Sequence, residues 1–358
     1  MGANLPNTDP YWMNRRQELE AFTFYRRKEV GDLPAYFHTN SMAEIHWIPL
    51  IKLLSKYIAS TESKNACDIE NEFLSNPQLL RRAVLSNLHI ATSYFDARTK
   101  NYYNTVCKSL FQVDDYFFRY EFAKGRGQIH SHGILFSKEH AKKVEDALDH
   151  SNESLTNEDR AKRLQQWLQT DSENSDTVFS PGFVSLHPAG GKLEQNDEKK
   201  TWIPNKEGWP LPEGTQKPPD FNPLQQKITQ CKTQEEIDDL TTHIVNKVGI
   251  HQCNGYCLRK KKVDSKTRYC RSHFGKEDPI TKKTTGKDLH PFDPWIVGTT
   301  HPRYEGARDH PRLIMFVKDH LSTWMANCDT QVLIDRDLLN LQNTSSTMRA
   351  KELFQLKI

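Results

Sequence analysis

His130 and His132 stand two residues apart in the stretch FFRYEFAKGRGQIHSHGILF, residues 117–136. Side chains on a strand alternate between faces, so a strand here puts both imidazoles on one side. Lys124 to Gly127 make a short glycine-containing turn, and a symmetric hairpin about them sets Ala123 opposite Gln128. Glu121 then falls opposite His130, and Glu121, His130 and His132 form one cluster. Two imidazoles and a carboxylate on rigid strands, with coordination positions left open, suit a divalent metal that polarises a phosphate. The spacing alone carries no weight: with 15 histidines in 358 residues, about 0.6 His-x-His pairs arise by chance. Weight comes from the carboxylate at the matching hairpin position. It comes also from histidine standing where a half-buried strand ordinarily carries β-branched or aromatic residues. A hydrogen-bonded structural pair is the alternative that the same residues allow.

A second set reads His251-x-Cys253-x₃-Cys257-x₁₂-Cys270, with His273 shortly beyond. Thiolates and imidazole in fourfold number select tetrahedral Zn²⁺, and a closed ligand set makes such a site structural. His251, Cys253, Cys257 and Cys270 are the expected ligands; His273 could replace His251. The segment has little apolar material to fold around, so zinc would hold a loop that cannot hold itself. It is also basic. LRKKKVDSKTRYCR, residues 258–271, carries seven cations against one acid: Arg259, Lys260, Lys261, Lys262, Lys266, Arg268 and Arg271. Such a run can track phosphates and release counterions; a solvated loop is the plainer alternative. The other four cysteines, Cys67, Cys107, Cys231 and Cys328, are scattered and read as ordinary thiols.

These groups need elements to position them. Ser41-Met-Ala-Glu44 has the form of a capping box, which predicts a helix through IHWIPLIKLL with Pro49 near its middle. A second helix is expected to open at Pro77 after Ser75 and Asn76, and a third to run from about His89 to Leu110. After the metal hairpin comes a charged helix over about Lys138–Leu148. From Ser151 to Lys227 the composition turns to Ser, Asn, Glu, Pro and Gly, which predicts an irregular surface insertion broken by one short helix around Arg160–Leu168. Thr233-Gln-Glu-Glu236 caps another helix, with Ile237, Leu240, Ile244 and Val248 at helical spacing until Gly249. Pro311 is read as opening a helix through Ala326, and Thr330–Ile334 as a strand. The chain thus divides into 1–150, with helices and the metal hairpin; 151–230, a polar insertion; 231–334, with the zinc and basic segment; and a tail, 335–358. Helices mixed with hairpin-connected strands predict an α+β structure with an antiparallel sheet.

A formal net charge of +3 is close to balanced, so any affinity for nucleic acid must come from local patches. No run of 18 apolar residues occurs, and MGANLPNTDPYW lacks the apolar core of a signal peptide. Pro6 stands where a myristoylation motif wants Ser or Thr. The expectation is an intracellular protein without membrane contact, in a reducing compartment that suits seven cysteines.

The hairpin also carries a resemblance. YFFRYEFAKGRGQIHSHGILF resembles the HUH motif of the Rep domain in Helitron-type rolling-circle transposons. GDLPAYFHTNSMAEIHW (residues 31–47) and SNLHIATSYFDARTKNYYNTV (residues 86–106) resemble earlier blocks of the Helitron helicase-like domain. HQCNGYCL (residues 251–258) with Cys270 resembles its cysteine-histidine segment, and DHPRLIMFVKDHLSTWMANCDTQVLI (residues 309–334) the block before its catalytic tyrosines. The resemblance implies a Rep-like antiparallel sheet packed with helices, a small zinc-stapled subdomain, and a single-stranded DNA nickase. Such an enzyme uses Mg²⁺ or Mn²⁺ on Glu121, His130 and His132, forms a covalent 5′-phosphotyrosine and leaves a free 3′-hydroxyl. Lys124 and Arg126, in the turn, are expected to clamp neighbouring phosphates. The implied partners are single-stranded DNA and a full-length transposase or helicase; the implied location is nuclear.

One departure stands out. The family's nucleophile is a tyrosine, often in a Tyr-x-x-Lys-Tyr-like helix, and no tyrosine follows Tyr304 here. The closing DRDLLNLQNTSSTMRAKELFQLKI departs from the pattern and reads as a truncation or a shifted exon boundary. Tyr120 is no substitute, because its place beside Glu121 turns it to the opposite face. Tyr269 and Tyr304 do not match the nucleophile's position. The family's helicase nucleotide loop is absent too: the Gly-Lys pairs at Gly191, Gly275 and Gly286 have Leu186, Cys270 and Thr281 where the first glycine belongs. Weak or no nicking is the expectation, and a non-catalytic, domesticated DNA-binding or partner-binding module is the alternative.

Overall fold

Alternation builds the sheet. In the computed structural model, PAYFHTNS forms β1 (Pro34–Ser41), DYFFRYEF β2 (Asp115–Phe122), IHSHGILF β3 (Ile129–Phe136) and CDTQV β4 (Cys328–Val332). They make one antiparallel sheet in the order β4-β1-β3-β2. The structure describes residues 9–31, 33–122, 128–169, 222–226, 228–249, 294–297, 302–306 and 316–334, with a few two- and three-residue strand segments between 183 and 285. Nine α-helices of seven residues or more lie among these residues: α1 (Asp9–Tyr25), α2 (Ile48–Glu62), α3 (Ala66–Ser75), α4 (Pro77–Ser86), α5 (Leu88–Tyr102), α6 (Lys138–Leu148), α7 (Asn157–Gln169), α8 (Gln234–Ile244) and α9 (Lys318–Trp324). The architecture is α+β. None of these helices is long and apolar enough to cross a membrane.

The two faces of the sheet differ in what covers them. One presents Tyr36, His38 and Asn40 from β1, Phe118 and Tyr120 from β2, Gly133 and Leu135 from β3, and Thr330 and Val332 from β4. It carries the main core. Phe95 and Tyr102 of α5 pack there with Trp47 and Trp324, whose indole rings meet edge to face at 5.5 Å. The Trp324 indole N–H donates to Ser41 O and that of Trp47 to Met325 O, so each large ring is also tied to the backbone it lies against. Gly133 is needed here because a β-carbon would come within 2.4 Å of the Tyr103 hydroxyl. Tyr103 stands in the wide π turn Tyr103–Cys107 that continues α5, and its ring stacks on Phe118 at 4.9 Å. On the same face Tyr36 Oη bonds His140 Nδ1 of α6 at 2.6 Å.

Among the described residues, α1 covers part of the opposite face. Leu19 and Phe22 of α1 pack with Ile134, Phe136, Phe37 and Phe117 in a small second core. Arg26, just past α1, lies 5.6 Å over the Phe136 ring and 3.8 Å from the Asp114 carboxylate. α1 thereby anchors at the Phe136 end of β3.

Several elements depart from the sequence reading. Ser41 does not cap a helix; it ends β1, residues 44–46 turn, and α2 starts at Ile48 with Pro49 in its first turn. A proline has no N–H to give, and only the first turn leaves that donor unused, so Pro49 fixes the start of the helix. Asn76 caps α4 as expected, accepting from Gln78 N and Leu79 N, but α3 precedes it where no helix was expected. The carboxy-terminal helix is shorter than the pattern from Pro311 suggests, because Phe316 and Val317 are extended and α9 begins at Lys318. The strand expected at Thr330–Ile334 lies two residues earlier, at Cys328–Val332. Lys138–Leu148 is helical over the expected residues, and the Thr233 cap accepts from Glu236 N as expected.

Candidate metal centre

Beyond the reach of the α1 contacts, the second face carries polar rows. The register pairs Glu121 with His130, and His130 with Ser41. One row nearer α1, Arg119 pairs with His132, His132 with Thr39, and Thr39 with Asp329. The expected pairing of Glu121 with His130 is the observed one. Glu121, His130 and His132 offer ligand atoms that all lie within 4.8 Å of one another, and among the described residues this is the one such His/Cys/Asp/Glu group. Glu121 Oε2 is 3.5 Å from His132 Nε2 and 3.9 Å from His130 Nε2. The two imidazoles sit edge to face, centroids 4.8 Å apart, so their nitrogens converge without stacking. All three side chains are between 15% and 19% exposed, sheltered enough to shed water and open enough for a ligand to enter.

Outer contacts fix the rings. His132 Nδ1 lies 3.0 Å from Thr39 Oγ1; with Nδ1–H donating to that oxygen, the Nε2 lone pair is left for a metal. Phe37 stacks on the His132 ring at 5.6 Å. His130 has a backbone hydrogen bond with Gln128, and Gln128 Nε2 in turn donates to Glu44 Oε2 at 2.9 Å and to Met42 O. The turn end of the hairpin is thus tied to the loop that follows β1.

The protonation states match a ligand set. Burial and the neighbouring His132 lower the His130 pKa below its ordinary value, which keeps the ring neutral near pH 7. Burial pushes the Glu121 carboxyl up, but its contacts with His132, His130 and Arg119 outweigh it, and the net shift is downward. A neutral imidazole beside an ionised carboxylate is what a divalent ion needs. The residues fit such an ion: three ligands, the two imidazoles with outer contacts of their own, and side chains still partly exposed.

Arg119 was not foreseen. Its side chain is 7% exposed and Nη2 lies 3.5 Å from Glu121 Oε2. Thr39 and Gln128 were missed as well. Tyr120 is on the other face, as alternation required, where its hydroxyl donates to Asp96 Oδ1 at 2.8 Å. Lys124 and Arg126 lie outside the described residues, as do His251, Cys253, Cys257, His273, Lys261, Lys262, Lys266 and Arg271. Of the basic and zinc segment the structure describes a backbone ribbon, Leu258–Lys260 paired with Arg268–Cys270, in which Leu258 faces Cys270, Arg259 faces Tyr269 and Lys260 faces Arg268. Cys67, Cys107, Cys231 and Cys328 are free thiols.

Comparison with protein-family models, with curated proteins and with solved structures finds no match to this chain.

Proposed function

We propose that this chain binds single-stranded DNA at a metal centre of the Rep-like HUH type, as in the endonuclease domain of Helitron-type rolling-circle transposons. The reading rests on one observation: Glu121, His130 and His132 converge on one face of the sheet with their side chains still partly exposed. Glu121, His130 and His132 would hold Mg²⁺ or Mn²⁺, the ions that the resemblance implies. A divalent cation, when bound there, withdraws charge from a phosphate oxygen. Thr39 and Gln128 hold the two rings at their tilt. Lys124 and Arg126 are proposed to contact the flanking phosphates, and the basic residues around the Leu258–Cys270 ribbon to extend the grip on the backbone.

The sequence has no tyrosine after Tyr304, and Tyr120 is committed to Asp96 on the far face. The activity proposed for this chain is therefore strand binding with little or no nicking. Labelled single-stranded DNA incubated with the protein and Mn²⁺ tests this. Binding that needs Mn²⁺ and weakens with salt, without a covalent adduct, is expected. Binding that is indifferent both to Mn²⁺ and to Glu121→Ala defeats the reading, and a covalent adduct shows that another residue supplies the nucleophile. For the Zn²⁺ site proposed at His251 or His273 with Cys253, Cys257 and Cys270, elemental analysis should find about one zinc per chain. The double change Cys253→Ser, Cys257→Ser should release it.

A further inference from the structure

Arg119 poses a charge problem that the metal site must solve. A guanidinium keeps its proton at any ordinary pH, and this one is buried within 3.5 Å of the carboxylate that would ligate the metal. It stands directly across the ladder from His132, in the same row as Thr39 and Asp329. As a simple ion pair the contact is poor, since charge-assisted N–H···O bonds close to about 2.7–2.9 Å. Glu121 Oε2 instead lies at 3.5 Å from both Arg119 Nη2 and His132 Nε2, shared between the two. An imidazole that ligates a metal is neutral, so among these four side chains the charges of Glu121 and Arg119 cancel. A divalent cation entering the cluster then meets no net charge from Glu121, His130, His132 and Arg119, in a sheltered pocket where uncompensated charge is costly. Asp329, the other acid in the row, is on the far edge strand beyond Thr39 and takes a hydrogen bond from Gln331 at 2.6 Å.

We infer that Arg119 makes the cluster a joint site, in which a divalent cation and a phosphate group of a nucleic-acid strand each bind well only when the other is present. The phosphate oxygens supply the missing negative charge and receive the guanidinium, whose fork suits them. Coupling of this kind is reciprocal: the factor by which strand tightens metal equals the factor by which metal tightens strand. The inference rests on the functional reading above, and it gives Arg119 the role of a phosphate-binding residue that also restrains metal binding in the absence of substrate.

The test is a Mn²⁺ titration of the full chain, followed by loss of the free-ion paramagnetic signal, with and without a short single-stranded oligothymidylate. For the unaltered protein the strand should tighten Mn²⁺ by about tenfold or more, with Mn²⁺ tightening the strand equally. In Arg119→Met and in Arg119→Gln, Mn²⁺ alone should bind more tightly than to the unaltered protein, and the coupling should fall below about threefold. Arg119→Lys, which keeps the charge, should keep most of the coupling. Equal Mn²⁺ affinity with and without the strand in the unaltered protein overturns the inference, whatever the variants do. So does undiminished coupling in the neutral variants. If Glu121→Gln takes up Mn²⁺ as tightly as the unaltered protein, the metal reading of the cluster fails instead; Mn²⁺ lost with Glu121 but still fully coupled without Arg119 sinks the inference alone.

Discussion

The sheet carries two histidine pairs, back to back, and they have opposite fates. On the open face His130 and His132 share Glu121 and remain partly exposed. On the core face His38 of β1 meets His320 of α9 at 3.0 Å, both fully buried, with His320 also contacting Asn40 Oδ1 at 2.7 Å and Thr330 Oγ1 at 3.2 Å. Thr39, one residue after His38, belongs to the first pair. What separates the two is the company they keep: the core pair has neutral amide and hydroxyl partners and aromatic walls, Tyr102 at 5.1 Å from the His320 ring among them, while the open pair has a carboxylate. Imidazoles in proximity are therefore not a metal site. A nearby carboxylate and partial exposure make one pair a candidate ligand set, while neutral partners and full burial make the other a structural tie between α9 and the sheet.

Acid should break the core pair first. Burial lowers the His38 pKa to about 3, and burial with the neighbouring His38 lowers that of His320 well below its ordinary value. The unfolded chain takes up protons near pH 6.5 while the folded one refuses them, so stability is full above that pH and falls as pH drops through it toward the folded values. From pH 7 to 5 the loss from His38 is about 2 kcal/mol, and His320 adds to it in the same direction. Urea midpoints across this range measure it, and the expected slope is in a window above the carboxylates' titration. His320→Leu should cost about 3 kcal/mol at pH 7, because His38, Asn40 and Thr330 lose a buried partner. It should also remove the His320 share of the pH slope while leaving Mn²⁺ binding intact. Glu121→Ala is its mirror: Mn²⁺ affinity down more than about 100-fold, some 2.7 kcal/mol, with the thermal midpoint little changed.

The open pair was readable because its geometry is local. Nine residues of chain and one turn fix Glu121 opposite His130, and alternation adds His132 and sends Tyr120 away. Alternation equally puts Arg119 on that face, two residues before Glu121, but a cation beside a metal ligand is not a residue that a ligand search looks for. Everything that required a distant partner was out of reach. Thr39 touches His132 only because β1 pairs with β3, and His320 reaches His38 only because the chain returns after some 280 residues to add β4 to the sheet's edge. The helices fared by the strength of their punctuation: Asn76 with Pro77 and Thr233 with Glu236 mark true starts. Ser41 with Glu44 has the same spacing, but Ser41 is held as the last strand residue, its carbonyl taken by Trp324 and its amide donating to Asn327 O. Tertiary pairing outweighed the local cap.

Thr39 gives the finest version of the contrast, because a matched change exists on each face. Thr39→Val keeps the shape and the strand propensity and removes only the oxygen that faces His132 Nδ1. The ring then loses its outer anchor and its tautomer is no longer set, and Mn²⁺ affinity should fall about tenfold, the low end for such outer partners. Thr39 is half-buried, so stability should change by less than about 0.5 kcal/mol. Thr330→Val, in the core, removes an oxygen from His320 Nδ1 at a buried position. That change should cost about 1 kcal/mol of stability and leave Mn²⁺ titrations where they were. If the two valines exchange these outcomes, so that the core change weakens metal binding or the open-face change unfolds the protein, the faces are coupled through β1. The division between a structural pair and a functional one is then wrong at its root.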